Sequence, residues 1–360
     1  MNPRLKRSIM PVEAPGGDLI LMRTAHEDVR ISHPDGSERA LLRALDGTHP
    51  LEELNECFGA AEVAQTMEAL RALGLVEDAS REAELPKPLR ERFDRQLRYL
   101  SDISLDGPDA VECQEILAAS TIAVFGTGGL GGRVAWELAS IGVGEMWLID
   151  GDRVEVSNLN RQIQYTEAEV GLLKVECLAS RIRSFNSRTK VVPFAERVES
   201  EERLAEFIEG ADLLVDAADW PARVVEQWCN SACFAAGIPY IAMSHCPPMA
   251  RIGPLYVPGR TGCFVCQETG YRREYPLYDV AVDQQRGRPS PAPTLGPLCG
   301  VTAGLVGSEI MHFLTGVVEP KTLGRGYALD LRTMEFETYE VTPEPECPVC
   351  AGTTAAVAAA

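Results

Sequence analysis

At 360 residues, 45% of them hydrophobic, the chain has the length for one large core and two or three domains. Its 34 basic and 53 acidic residues leave a net charge of −19, which disfavours a nucleic-acid surface and confines phosphate binding to a locally prepared site. No apolar run is expected to match the roughly 20 residues that cross a bilayer, and the N-terminal residues lack the apolar core and cleavage pattern of a secretory signal. No membrane partner is expected, and the expected compartment is the cytoplasm.

In chain order, Leu19–Arg23 and Val29–Ser32 read as strands and His33 to Gly36 as a turn. Glu38–Leu45 is a helix candidate. Thr48 to Leu54 opens a second helix with Thr48 as its cap, and Ala61–Leu73 gives a third that Gly74 ends. Leu75 and Val76 add a closing strand. The order β-β-α-α-α-β predicts a small winged-helix-like domain over residues 1–80. That segment carries 8 basic and 14 acidic residues, so a peptide added to a strand edge suits it better than a phosphate backbone.

Residues 81–91, with Pro86 and Pro88, predict a linker, and the main domain is expected over residues 92–352. It opens with a basic-aromatic helix containing Arg92, Phe93, Arg95 and Tyr99, in which Arg92 and Arg95 share a face. Ser120–Phe125 is a strand, Gly126 to Gly132 a glycine-rich turn, and Arg133–Ile141 a helix. Glycines there permit a tight turn and close approach of backbone donors, with a helix N-terminus facing an anion. Glu145–Ile149 is the next strand, and Asp150 at its end is placed to accept hydrogen bonds from a ribose. On these features alone a nicotinamide or flavin cofactor stays open.

The α/β alternation continues through a helix over Glu167–Asn186, a strand at Lys190–Phe194, a helix at Glu201–Glu209 and a strand at Leu213–Val215. Asp216 and Asp219 follow, then a helix over Val224–Ala236 and a strand at Tyr240–Ala242. A mostly parallel sheet is expected. Tyr271–Pro297 reads as a crossing loop or lid, Gly300–Leu314 as a closely packed helix, and Gly326–Leu331 with Glu335–Val341 as a final hairpin. Residues 353–360 read as a disordered tail.

Of the 11 cysteines, Cys263 with Cys266 and Cys347 with Cys350 form two CxxC pairs. Paired CxxC elements fit a structural four-thiolate zinc site in a reducing compartment. Cys177, Cys229 and Cys233 fall in helical patterns and read as buried. Cys246 and Cys299 lie near loops, where a thiol could accept an acyl group or take part in sulfur transfer; His245 reads as a structural or polar-pocket residue.

The most informative stretch runs from Asp150 and Asp152 through Asn158, Arg161 and Gln162 to Lys174, with Asp219 further on. Acids for ribose or magnesium stand beside cations that suit a triphosphate, a set that favours adenylyl transfer over hydride transfer. Together with Arg95, the glycine loop and the cysteine pairs, this pattern resembles the adenylating domain of ubiquitin-activating enzymes and of the bacterial ThiF-type enzymes that activate molybdopterin and thiamin sulfur carriers. The resemblance spans about residues 90–350.

It implies an α/β fold with a Rossmann-like, mostly parallel sheet, binding ATP and Mg2+, with a structural Zn2+ on Cys263, Cys266, Cys347 and Cys350. Gly126, Gly128, Gly129 and Gly131 would cradle the nucleotide, and Asp150 would hold its ribose. Arg161 and Lys174 would hold phosphates with Asn158 in support. Asp219 would position magnesium, with Asp152 as a second acid. Arg95 would reach the partner's site in a homodimer.

With its N-terminal domain, the chain also resembles microcin-type and pantocin-type enzymes that modify ribosomally made peptides. There a leader segment is gripped by a winged-helix-like domain. The expected function is therefore ATP-dependent adenylation of a precursor-peptide carboxylate or amide, with pyrophosphate release. Cyclisation or dehydration would follow, with a downstream modifying enzyme as a compatible partner. The alternatives are adenylation of the C-terminal glycine of a ubiquitin-like sulfur carrier and a noncatalytic leader-docking role.

Overall fold

The computed structural model describes residues 1–23, 26–105, 107–286 and 293–351. They divide into two compact units, residues 1–116 with 315–318, and residues 117–314 with the chain from 319 onward. In the first unit β1 (Pro3–Leu5) pairs antiparallel with β5 (Val76–Asp78), bringing the two ends of the segment together. Between them, β2 (Met10–Glu13), β3 (Leu19–Met22) and β4 (Val29–Ile31) form an antiparallel meander. Three helices follow: α1 (Gly36–Ala44), α2 (Leu51–Phe58) and α3 (Ala60–Ala72). Leu21, Leu41, Leu54, Val63, Met67 and Leu75 make their common core.

Two strands, β1 and β2, escape the sequence pattern because Pro3 and Pro11 sit in them and each is only three or four residues long. The expected threonine cap is also corrected. Thr48 bonds to Asp46 instead, and α2 begins at Leu51 after Pro50, since a residue before proline is steered out of the helical region. Residues 81–91 carry regular structure where a linker was expected. Ala79–Glu84 is a 3-10 turn to which Arg4 and Arg7 are tied through Glu82, and α4 (Lys87–Ile103) starts with Pro88 in its first turn. Phe93 and Leu97 of α4 pack with Leu85 and with Val111 of α5 (Ala110–Ala119), so the compact division falls after residue 116.

The second unit is built on an eight-stranded sheet. In chain order its elements begin β6 (Thr121–Phe125), α6 (Gly131–Ile141), β7 (Glu145–Ile149), α7 (Lys174–Phe185), β8 (Lys190–Phe194) and α8 (Glu201–Ile208). β9 (Leu213–Asp216), α9 (Val225–Ala236), β10 (Tyr240–Cys246) and β11 (Met249–Tyr256) follow. The last are α10 (Phe264–Glu274), α11 (Tyr278–Arg286), α12 (Gly296–Thr315), β12 (Arg325–Asp330) and β13 (Glu335–Glu340). The sheet order is β13-β12-β11-β10-β9-β6-β7-β8. From β10 to β8 the pairings are parallel, and the β10–β11–β12–β13 end is antiparallel. β6 and β9 are almost wholly buried, as near-continuous apolar runs between helices should be.

Four details depart from the sequence reading. α7 starts only at Lys174, after a 3-10 turn at Glu167–Glu169 and Gly171 at φ +91°, a conformation that interrupts a helix. β11 was not expected, because Pro247, Pro248 and Pro254 obscure its alternation. Much of the expected lid is helical in α10 and α11, while residues 287–292 and the tail 353–360 lie outside the described residues. Finally, α12 is a 20-residue apolar helix long enough to match a bilayer, but half of it is buried inside the fold, as for a core helix.

The chain leaves β6 toward β7 and β8 on one side, then returns to β9 on the other. Loops splay apart where strand order reverses, and ligands bind outside the carboxyl ends of such strands. Gly131 fixes this geometry by packing: a Cβ there would overlap the Gly126 carbonyl oxygen and lie 2.9 Å from Ala217 Cβ. Gly131→Ala is expected to lower the thermal midpoint, with a cost of about 1–3 kcal/mol for overpacking. Thermal unfolding of the two proteins side by side checks it.

Candidate active site

Phe125 pairs with Ile149 on one side and Asp216 on the other, so Gly126, Asp150 and Ala217 leave the sheet at one level. Above them opens a cleft of about 450 Å³. Gly126 has φ +89°, and any Cβ there would be 2.7 Å from the Ala217 carbonyl oxygen. Only glycine permits that turn against that neighbour. α6 begins just beyond: Leu130 at its N-cap makes no side-chain hydrogen bond, Gly132 N–H is bonded to the Gly128 carbonyl at 3.1 Å, and the positive end of the helix suits an anion.

Gly126, Gly128, Gly129, Asp150, Asp152, Asn158, Arg161, Lys174 and Asp219 all line this one cleft. Asp150 Oδ2 accepts from Thr127 N and Oγ1 at 2.8 and 2.9 Å, and its Oδ1 accepts from Asp152 N at 2.8 Å. The carboxylate thus braces the loop while keeping lone pairs for a ligand hydroxyl. Lys174 is the first residue of α7, its side chain only 7% exposed. Its Nζ donates to Asp152 Oδ2 at 2.9 Å, and its backbone N–H to the Asp152 carbonyl at 3.0 Å. An ammonium at a helix N-terminus adds to the positive end of the dipole. Acids outnumber cations in the lining, so positive charge is held at points, on Lys174, Arg161 and Arg197, and not over the whole wall.

Asn158 is buried, and its Oδ1 accepts from Glu155 N at 3.1 Å. Arg161 Nη1 donates to the Ser157 carbonyl at 2.9 Å and to Asn160 Oδ1 at 3.0 Å, which holds the guanidinium at the rim. The same segment clamps the glycine loop from above: Gln164 Nε2 donates to the Gly128 carbonyl at 2.8 Å and Tyr165 OH to the Thr127 carbonyl at 2.8 Å. These two anchors carried no sequence signal beyond following the Arg161–Gln162 motif.

Asp219 is exposed on the loop after β9 and lines the opposite wall. Asp216, three residues before it, is fully buried, and burial together with the nearby Glu226 carboxyl pushes its pKa up to about 8. Sequence reasoning also passed over Met243, Ser244, Thr294 and Trp220 as lining residues.

Six expected site residues stand elsewhere. Gly131 supports the turn without lining the cleft. Arg95 belongs to the first unit, exposed on α4. The paired cysteines form a separate buried cluster in which Cys263 Sγ lies 3.5 Å from Cys347 Sγ and 3.9 Å from Cys266 Sγ, with Cys266 and Cys350 at 3.3 Å. All four sulfurs fall within 4.8 Å of one another. Tetrahedral Zn–S bonds of about 2.3 Å place sulfurs roughly 3.8 Å apart, so the donor set and spacing fit that metal. Cys177, Cys229 and Cys233 are buried as expected, Cys246 is exposed, and Cys299 is buried at the cleft wall.

The buried Asp216 gives a pH signature. Its folded carboxyl keeps a proton that the unfolded one, near 3.9, has lost, so the unfolded state binds fewer protons and stability falls as pH rises from about 4 to about 8. Asp216→Asn is expected to flatten that decline. Thermal midpoints of both proteins at pH 5 and pH 8 measure it.

A model of the ThiF family matches residues 93–349. The SAMP-activating enzyme E1 of Haloferax volcanii is 33% identical over 70% of this chain and 88% of its own length. The sulfur carrier protein ThiS adenylyltransferase of Escherichia coli K12 is 30% identical over 73% of this chain and 96% of its own. Among solved structures, E. coli MccB with MccA aligns with 97% of this chain and 99% of that one, at TM-score 0.78 and 25% identity. E. coli MccB with ATP aligns at 24% identity and TM-score 0.78 over 97% and 100% of the two chains, and PaaA at 26% and 0.74 over 93% and 99%.

Proposed function

The chain belongs to the ThiF family of adenylyltransferases, and from that premise we propose that it adenylates a carboxylate or amide of a ribosomally made precursor peptide, releasing pyrophosphate. The observation that carries the substrate class is the extent of the likeness. The carrier-activating relatives match 70–73% of the chain, whereas MccB in complex with MccA aligns with 97%, which requires the first unit as well. Cyclisation or dehydration by this chain or by a downstream enzyme then completes the modification.

In this reading the substrate carboxylate attacks the α-phosphorus of ATP, and the bond to pyrophosphate breaks as the acyl-adenylate forms. No general base is needed; orientation and charge stabilisation supply the rate. Asp150 holds the ribose, and the Gly126–Gly129 backbone with the N-terminus of α6 faces the phosphates. Arg161 and Lys174 neutralise the charge that grows on the leaving pyrophosphate, with Asn158 beside them. Lys174 meets that charge already desolvated and held by Asp152. Asp219 would hold Mg2+, with Asp152 as a second acid, and the ion when bound would neutralise phosphate charge. The winged-helix-like first unit docks the leader along a strand edge, and Arg95 completes the site of a second copy in a homodimer. A Zn2+ on the four cysteines fastens the C-terminal segment to α10 and takes no part in the chemistry.

One observation favours a second reading. The curated relatives at 30–33% identity include sulfur-carrier activators, so a ubiquitin-like carrier ending in glycine is the competing substrate. Pyrophosphate release measured with candidate precursor peptides and with a Gly-Gly-ending carrier separates the two. Peptide-selective release is expected, and carrier-selective release would overturn the peptide assignment.

Three further outcomes follow from the roles of the cations and of the cysteine cluster. Arg161→Ala and Lys174→Ala are each expected to reduce pyrophosphate release about 100-fold or more, with the metal content of the protein unchanged. Elemental analysis is expected to find one zinc per chain. Cys347→Ser is expected to lower that content and the thermal midpoint together, while the residual folded fraction still binds ATP.

A further inference from the structure

His245 is the next-to-last residue of β10, on the same strand face as Met243, and both line the cleft. Its Nε2 is buried and has no hydrogen-bond partner among the described residues. A buried imidazole nitrogen left unpaired is costly, and a histidine serving only the core has no reason to carry that cost beside an open cleft. The charged groups that act on it are Asp219 and Arg161, and both line the same cleft. Burial, opposed by Asp219 and reinforced by Arg161, moves its pKa below the ordinary histidine value. With the proton on Nε2, the ring has an N–H to give and no acceptor for it among the described residues.

Resting on the adenylation reading above, we propose that His245 is a catalytic residue that touches the acyl group. Its Nε2–H donates to the carboxylate oxygen that does not attack phosphorus, and so turns the other oxygen toward the α-phosphate. The oxygen–phosphorus bond forms, the bond to pyrophosphate breaks, and no proton is transferred. A neutral donor suits this task. It holds one anion close to another without the full charge that would bind ground state and transition state alike.

The test uses AMP and an acetyl-sulfamoyl adenosine, a stable mimic of an acyl-adenylate, titrated calorimetrically into the wild type, His245→Ala and His245→Gln. The wild type is expected to bind the acyl-bearing probe more tightly than AMP. His245→Ala is expected to lose about tenfold in affinity for that probe while AMP affinity stays within about twofold. His245→Gln, which keeps an N–H donor of similar reach, is expected to recover most of the loss. A wild type that gains nothing from the acyl group overturns the adenylation reading itself. An unchanged acyl gain in His245→Ala overturns the role of His245 alone, as does a parallel loss for AMP. A glutamine variant no better than alanine rejects the donor role.

Discussion

The close approach of the β6–α6 turn to the loop after β9 is the constraint on which the site depends. Both strands end at one level, and Gly126 lies so near the Ala217 carbonyl that no side chain fits between them. That contact keeps the floor of the cleft narrow enough for backbone N–H groups to reach a ligand. It also sets Asp150 on one side and Asp219 on the other, across the point where strand order reverses. Remove the small residues and the carboxylates and cations would still be present in the chain, but no longer around one volume.

Charge is organised just as locally. A net charge of −19 repels polyphosphates at long range, so attraction has to come from groups already stripped of water. Lys174 is such a group. It is buried at the start of α7, and its side-chain partner among the described residues is the exposed carboxylate of Asp152, so the desolvation cost is met during folding rather than on binding. The uncapped N-terminus of α6 and the braced Arg161 add fixed dipoles and charge of the same sign. Preorganisation of this kind is what an adenylyl transfer without a general base requires, since orientation and electrostatics are then all the protein contributes.

The sequence made the centre of the site legible because its chemistry is written in contiguous motifs. A strand, a glycine turn and a helix in succession fix where Asp150 must emerge, and two CxxC pairs announce four sulfurs that the fold brings within 4.8 Å. What stayed hidden depends on tertiary context. β11 carries prolines that break its alternation, β1 exists only because β5 returns to pair with it, and α7 is shortened by Gly171 at a positive φ. Asp216 and Asp219 look alike as letters three residues apart, yet one is sealed under the sheet as a proton-bearing carboxyl and the other faces the cleft. His245 shows the same limit, because a lone histidine has no periodicity or spacing to mark it.

The two parts of the second unit's sheet divide the work accordingly. Its parallel half supplies the Gly126–Gly129 turn, Asp150, Arg161, Lys174 and Asp219, all at the carboxyl ends of β6, β7 and β9 and in the segments that follow them. β10 belongs to both halves, parallel to β9 and antiparallel to β11, and its carboxyl end carries Met243, Ser244 and His245 into the same cleft. The groups of the parallel half therefore come from a framework that many α/β folds share. Met243, Ser244 and His245 come instead from the strand at which this sheet changes direction, so under the proposed adenylation substrate preference would change there without disturbing the handling of ATP.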